Sequence, residues 1–506
     1  MTMAAMAHVQ DCERLRQRPS LVTIGFWGIL LFILASAECL SATHYVVTNG
    51  TPGWIGAADP YTNWATAGTN IIDVVNTAAT NNSARLVLVS NGVYYLTNVI
   101  NVTNSMTLQS INGRGVTILA GQGSLTTNRC ASFSATGSVF NGFAITNFYV
   151  TSQGGAVYSS TGGISIINCL FVGNSNIYTN TISGSGCGGG VYVNTTGYAG
   201  IITNCIFSNN YAFVNGGGLT LSHGAGVQDA KVEGCYFYGN LCDDLYGGGG
   251  GACYISGYRC IISNCIAINN THYTGGGAFA IAGGSDNKIL NCSIMSNNVI
   301  LGKYGGGGGG GIRASSSGLL VKDCSIIGNW SATTGGAVWA SSSAIIRNCL
   351  IAQNKATGTY AQIGGGVWLT NSTIENCTIV SNYAGVSGGG LYIDGSGSGT
   401  NNIVYFNMAG TSANNFTNTA GNTGLQYSCV IPAVDGTRNI TNDPSLVNLD
   451  GGDYRLNGNS PCVNAGLNQS WMTNAVDRDG RQRIRYGTVD MGAYEVICGG
   501  TIYGFH

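Results

Sequence analysis

"NCIFSNNYAFVNGGGLTL", residues 204–221, sets a cysteine behind an asparagine, ends a short apolar run on two more asparagines, and places three glycines before the next apolar run. The phrase recurs as "NCLFVGN" at 168–174, "GCYFYGN" at 234–240, "NCIAINN" at 264–270 and "NCTIVSN" at 376–382. Its cysteines are Cys169, Cys205, Cys235, Cys265, Cys292, Cys324, Cys349 and Cys377, spaced 25 to 36 residues apart. Three residues before each stands Ile or Val, and five after each stands Asn (Asn174, Asn210, Asn240, Asn270, Asn297, Asn329, Asn354, Asn382). A period of this length marks a solenoid, a propeller or an array.

The apolar runs are short, β-branched and bounded by Gly or Asn, which predicts strands. Two such runs and their turns make one coil of a parallel β-helix, with neighbouring coils ~4.8 Å apart. Equal phases then stack into columns. The asparagines become a hydrogen-bonded ladder at a turn, and the cysteines an inward column of compact apolar groups. A disulfide framework is the competing reading for a secreted chain. Parallel stacked side chains suit disulfide dihedrals poorly, so the column is read as mostly free thiols, with Cys187, Cys242, Cys253 and Cys260 left outside it and able to pair. The run "GGGGGGG" at 305–311 lacks the Gly-Lys-Ser/Thr of a phosphate loop and recurs in shorter form in neighbouring coils, so it reads as a turn.

The chain of 506 residues is 8% charged with formal net charge −1, which excludes strong attraction to nucleic acid or anionic membranes. The apolar run 21–37 follows Arg14, Arg16 and Arg18 and ends in Ala35-x-Ala37, with a second cleavage point after Ala42, the pattern of a secretory signal peptide. No transmembrane span is expected after its removal. Apolar positions 71, 72, 74, 75, 78 and 79 predict an amphipathic helix over 69–80 that caps the open end of the first coil. The expected organisation is a signal peptide at 1–42, an N-terminal cap at 43–85, an all-β right-handed parallel β-helix of roughly a dozen coils at 86–410, and a C-terminal cap or anchor-type segment at 411–506.

The phrases "FVGN", "FSNN" and "FYGN", alternating with "GGAV" at 154–157 and 335–338, resemble the repeats of the chlamydial polymorphic outer membrane proteins over about 140–410. That resemblance implies a surface-exposed, adhesin-like passenger, although that family carries a large C-terminal β-barrel for export, which the roughly 100 residues after the repeats are not expected to form. "NITNDPSLVN", "DYRLNGNSPCVNAG" and "DRDGRQRIRYGTVDMGAYE", within 439–495, resemble the end of the β-helix proteins called choice-of-anchor Q. This second resemblance implies export and surface retention in a bacterium, secreted or at the cell surface or outer membrane, with no assigned chemistry. "DRDG" itself lacks the further ligands of a calcium loop and reads as a turn.

Function is sought on the outside of the rod. After each glycine turn alternate residues point opposite ways. One set, Val191, Leu219, Cys253, Ile312, Val338, Val367 and Leu391, is expected to face in. The other, Tyr158, Tyr192, Thr220, Tyr254, Phe279, Arg313, Trp339, Trp368 and Tyr392, is expected to form an external aromatic stripe. Such a surface suits glycans or partner proteins; the bland reading is that it packs under its own loops.

Between 154 and 407 the carboxylates are Asp229, Glu233, Asp243, Asp244, Asp286, Asp323, Glu375 and Asp394, mostly in different phases, so no catalytic pair, metal or cofactor is assigned. One polar cluster remains: Cys242 and His272 share a phase in adjacent coils beside Asp243 and Asp244, an arrangement open to a metal ion or an acid/base pair, against the commoner reading of the Asp-Asp pair as a solvated loop. "SHG" at 222–224 and "CDD" faintly resemble polygalacturonase-type hydrolases, in reversed chain order, and nothing is carried over. Sequons such as those at Asn291 and Asn376 fall inside the repeat phrase and read as chance. The leading function is a β-helical rod presenting a binding face to cell-surface glycans or proteins; the alternative is a polysaccharide lyase or glycoside hydrolase on the same scaffold.

Overall fold

The computed structural model describes residues 42–497 except positions 50, 52, 82–84, 126, 161–162, 178–186, 196–199, 227–229, 246–247, 302–306, 359 and 420–423. The signal-peptide assignment, Asp229 and the start of the 305–311 glycine run lie outside these residues.

The coil that carries the quoted cysteine phrase consists of four short strands, Val191–Thr195, Ile201–Thr203, Ile206–Ser208 and Tyr211–Ala212. Successive coils pair in parallel into four sheets, here sheets 1 to 4 in that order, of 12, 14, 13 and 11 strands. The chain is a right-handed parallel β-helix of about 11 turns. The expectation of two strands per coil is corrected to four, because the cysteine phrase bends twice. Asn204 and Asn209, one residue before Cys205 and four after it, have φ of +53° and +52°. The same two positions have positive φ in all eight periods of the phrase, from Asn168 and Gly173 to Asn376 and Ser381. Twelve of these 16 corners are Asn or Gly, the residues that tolerate left-handed backbone most readily.

The two adjacent asparagines of "NN" therefore do different work. Asn209 turns the corner, whereas Asn210 is buried and joins a ladder. Asn210 Nδ2 donates to Asn240 Oδ1 at 2.9 Å and to the Phe171 carbonyl at 3.0 Å, while Asn210 Oδ1 accepts from Asn174 Nδ2 at 3.0 Å. The ladder runs unbroken from Asn174 through Asn382 to Asn407 and Asn415. Every amide group in it is satisfied, which burial in a low-dielectric interior demands.

The cysteines stack inside as expected. Each Sγ lies near the carbonyl two residues earlier, as Cys205 Sγ does with Thr203 at 3.3 Å. Every cysteine among the described residues is a buried thiol that forms no disulfide, including Cys187, Cys242, Cys253 and Cys260, so the disulfide pairing allowed for those four does not occur. Phe171, Phe207 and Phe237 stack beside them with centroids 5.0 and 4.9 Å apart.

Glycine triplets precede sheet 1 for two reasons. Gly188 has φ +70°, and a Cβ on Gly189 would overlap the Gly217 carbonyl of the next coil. At the N-terminal end, helix α1 (Ile71–Ala79) starts at Asn70, whose side chain accepts from the Ile72 N–H at 3.0 Å. It buries Ile71, Val74, Val75 and Ala78 against the first coils. Among the described residues no helix is long and apolar enough to cross a membrane.

The C-terminal segment does more than cover the last coil. It folds back along the outside of the rod, where Tyr454, Leu456, Met491 and Val496 pack with the outward residues Leu350, Ala352, Val380 and Ile403 of sheet 3. It also grips the cysteine-phrase corners. Arg478 bonds the Asp323 carbonyl, the Asn348 amide donates to the Val476 carbonyl, Asn376 to Asp490, and Asn401 to Leu467. Asn376 is thereby fully buried, which closes its sequon to modification in the folded state. "DRDG" is a turn: Asp477 Oδ1 accepts the N–H groups of Asp479 and Arg481 at 2.9 and 2.7 Å. At its centre Arg483, with no exposed surface, pairs with Glu495 at 3.2 Å.

Candidate binding face

The register of sheet 1 fixes which side chains form its outer column. Tyr158 pairs with Tyr192, Tyr192 with Thr220, and Thr220 with Tyr254. Tyr254 pairs with Ala280 rather than Phe279, and Ala280 with Arg313. The column continues through Trp339 and Trp368 to Tyr392. Phe279 pairs with Cys253 and Ile312 in the inward column, is fully buried, and meets Phe237 edge-on at 6.0 Å. Its placement on the outer stripe is corrected. A one-residue slip in register exchanges the faces of a strand.

The column is half-buried at Tyr158, Tyr254, Arg313, Trp339, Trp368 and Tyr392, and buried at Tyr192, Thr220 and Ala280. Tyr158 and Tyr192 stack with centroids 5.7 Å apart, and Trp339 and Trp368 with centroids 5.2 Å apart and planes 3° from parallel. The Arg129 guanidinium lies 4.8 Å from the Tyr158 ring centre and that of Arg313 lies 5.3 Å from that of Trp339. Trp339 therefore has one face on Trp368 and a cation on its ring. Glycine-rich turns approach from the side: a Cβ on Gly307 would overlap the Trp339 indole, and one on Gly248 would overlap the Arg313 guanidinium. Burial pushes the Tyr192 phenol up to about 12 and raises that of Tyr254. Both stay neutral hydrogen-bonding groups at physiological pH.

The polar cluster lies at the neighbouring edge, on sheet 4. Cys242 and His272 are register partners and both are fully buried. His272 Nδ1 accepts the backbone N–H groups of Thr274 and Gly275 at 2.8 and 2.7 Å, which assigns the proton to Nε2. That Nε2 has no hydrogen-bond partner among the described residues and faces Gly249, where an added Cβ would stand 2.8 Å away. Burial, with the Arg313 charge nearby, pushes the imidazole down to about 3. His272 thus secures the turn into the glycine run as a neutral ring. Asp243 accepts from the Tyr211 hydroxyl at 3.0 Å. Asp244 is buried, its carbonyl accepting from Thr274 at 3.1 Å, and its charge is felt by Arg313, Tyr254 and Cys187. Among the described residues no three His, Cys, Asp or Glu side chains converge to hold a metal ion.

The sequence pattern named Tyr192, Tyr254, Trp339, Trp368 and Tyr392 on one face, and the register unites them. It did not single out Arg129, which precedes its strand. The proximity of Asp244 to Arg313 was also missed, because it joins sheet 4 to sheet 1 across separate coils.

The architecture is that of the right-handed parallel β-helix proteins. Residues 225–409 match the family model described as "Right handed beta helix region". Among solved structures the chain is similar to the pectate lyase Pel9A (14% identity, 90% of this chain and 96% of that one, TM-score 0.38). It is also similar to the PL6 family alginate lyase AlyGC (12% identity, 90% of this chain, TM-score 0.42), of which it spans 59%. No curated protein sequence matches it.

Proposed function

We propose that this chain is a secreted or cell-surface rod that presents the outer column of sheet 1 to a glycan or another cell-surface partner. The observation that carries this reading is the in-register run Tyr254, Ala280, Arg313, Trp339, Trp368, Tyr392, which gathers aromatic edges, phenol and indole donors and a cation on one face. Aromatic side chains with polar handles combine apolar contact with hydrogen bonding, as a hydroxyl-rich partner requires. The chain is only 8% charged, so recognition is read as resting on these named groups rather than on a diffuse field.

A polysaccharide lyase or glycoside hydrolase is the second reading, supported by the closeness of Asp244, Arg313 and Tyr254 beside the column. One experiment separates the two: the purified protein is passed over a panel of immobilised polysaccharides and assayed for retention and for chain cleavage. The binding reading expects retention that falls in Trp339→Ala/Trp368→Ala, without cleavage. Cleavage that disappears in Asp243→Asn or Asp244→Asn overturns it.

A further inference from the structure

The partly buried arginines of the rod differ in how their charge is met. Arg347 pairs with Glu375 at 2.8 Å, and the fully buried Arg483 donates to the Asp490 and Gly492 carbonyls at 3.3 and 2.9 Å with Glu495 3.2 Å away. Arg313 has no such partner. Its Nε is buried without an acceptor, and among the described residues its guanidinium enters no hydrogen bond or ion pair. It is held between the Gly248 backbone and the Trp339 ring, and it feels the charge of Asp244 without forming a salt bridge with it. A guanidinium taken partly out of water needs hydrogen-bond acceptors in return. Here the Trp339 ring meets part of the charge, while among the described residues the N–H donors find no acceptor on the face read above as the binding surface. Arg129 repeats the arrangement near the other end of the same column, lying on Tyr158 with a single hydroxyl partner, Ser152. Five coil steps separate Tyr158 from Arg313, ~24 Å along the rod at the sheet spacing.

Resting on the binding reading, we infer that the partner is an anionic glycan lying along the rod, one of whose carboxylate or sulfate-ester groups is taken by the fork of Arg313 while the sugar beside it meets Trp339. A second acidic group further along the chain reaches Arg129. Guanidinium groups bind such planar or tetrahedral oxyanions through paired N–H bonds, and the Trp339 ring backs the Arg313 fork.

The test compares dextran, dextran sulfate and hyaluronan immobilised on separate surfaces, so that the two charged probes distinguish sulfate from carboxylate. The expected result is retention of at least one charged probe in preference to dextran, weakened roughly tenfold or more by Arg313→Gln. Arg313→Lys should recover only part of it, and thermal unfolding should show that both variants remain folded. Lys231→Gln/Lys288→Gln, on the outer face of sheet 2, controls for diffuse charge and should change retention little. Equal retention of dextran and dextran sulfate, or undiminished binding by Arg313→Gln, overturns the anionic assignment while leaving a neutral-glycan face intact. Retention of no polysaccharide overturns this inference and the glycan reading together.

Discussion

Asn240 Oδ1 accepts two hydrogen bonds from Asn210, one from its side-chain amide at 2.9 Å and one from its backbone N–H at 3.1 Å, across 30 residues of chain. The same double contact joins Asn240 to Asn270 and Asn270 to Asn297. Asn270→Ala removes the acceptor for both Asn240 donors and leaves them buried and unmet, at about 1–3 kcal/mol each. We expect a loss of roughly 3 kcal/mol in denaturant unfolding. Asn269→Gly, one residue earlier at a corner with φ +56°, should stay within about 0.5 kcal/mol of the parent. Equal costs at the two positions would contradict the division of labour between them.

The thiol column predicts a chemical phenotype. Burial pushes Cys324, Cys349 and Cys377 up and keeps them protonated. In the folded protein a thiol reagent should leave all the described cysteines unmodified, and after denaturation it should label them. Rapid native labelling at Cys265, or a disulfide between column members on non-reducing analysis, would be incompatible with this interior.

Phe279 and Trp368 separate core from surface. Phe279→Ala empties a site between Phe237 and the inward column and should cost about 3–5 kcal/mol. Trp368→Ala, on a half-exposed ring, should cost about 1–2 kcal/mol while reducing retention on the glycan panel. Thermal unfolding of the two variants reads the difference directly.

Stability should fall on both sides of a middle pH range for separate reasons. His272 is held near 3 by burial against an ordinary 6.5, so the unfolded chain takes up a proton that the folded one refuses. The stabilisation from its neutral ring is present above about 6.5 and is lost as pH falls toward 3. Glu495 is displaced the other way: burial outweighs the Arg483 charge and pushes its carboxyl to about 9 from 4.5. Its contribution is present below about 4.5 and is lost as pH rises toward 9, and Asp477 and Asp490 shift in the same direction. His272→Asn should flatten the acid limb and Glu495→Gln the alkaline limb, read as unfolding midpoints against pH.

The fold was legible in the sequence because each coil must solve the same local problems. A corner wants Asn or Gly, an inward ladder position wants Asn, and a tight interior column admits Cys, so the period repeats in letters. The stripe was legible only as far as phase could be counted. In the coil of Phe279 the run "GGGAFA" carries Ala278 after its glycines, and counting onward from them places Phe279 one position too far. The backbone bridges Gly250 to Gly276 and Gly276 to Gly309 set the true phase. The fold-back of the C-terminal segment had no local signal, since Arg478 meets Asp323 across 155 residues and Asn348 meets Val476 across 128.

That return path imposes an order of assembly. The seats of residues 454–496 are built by coils between Asp323 and Asn401, so they exist only once those coils are wound. A force applied at that end would then have to peel the returning strap before it could unwind a single turn beneath, which makes the strap, rather than the terminal coil, the mechanical lock of the molecule.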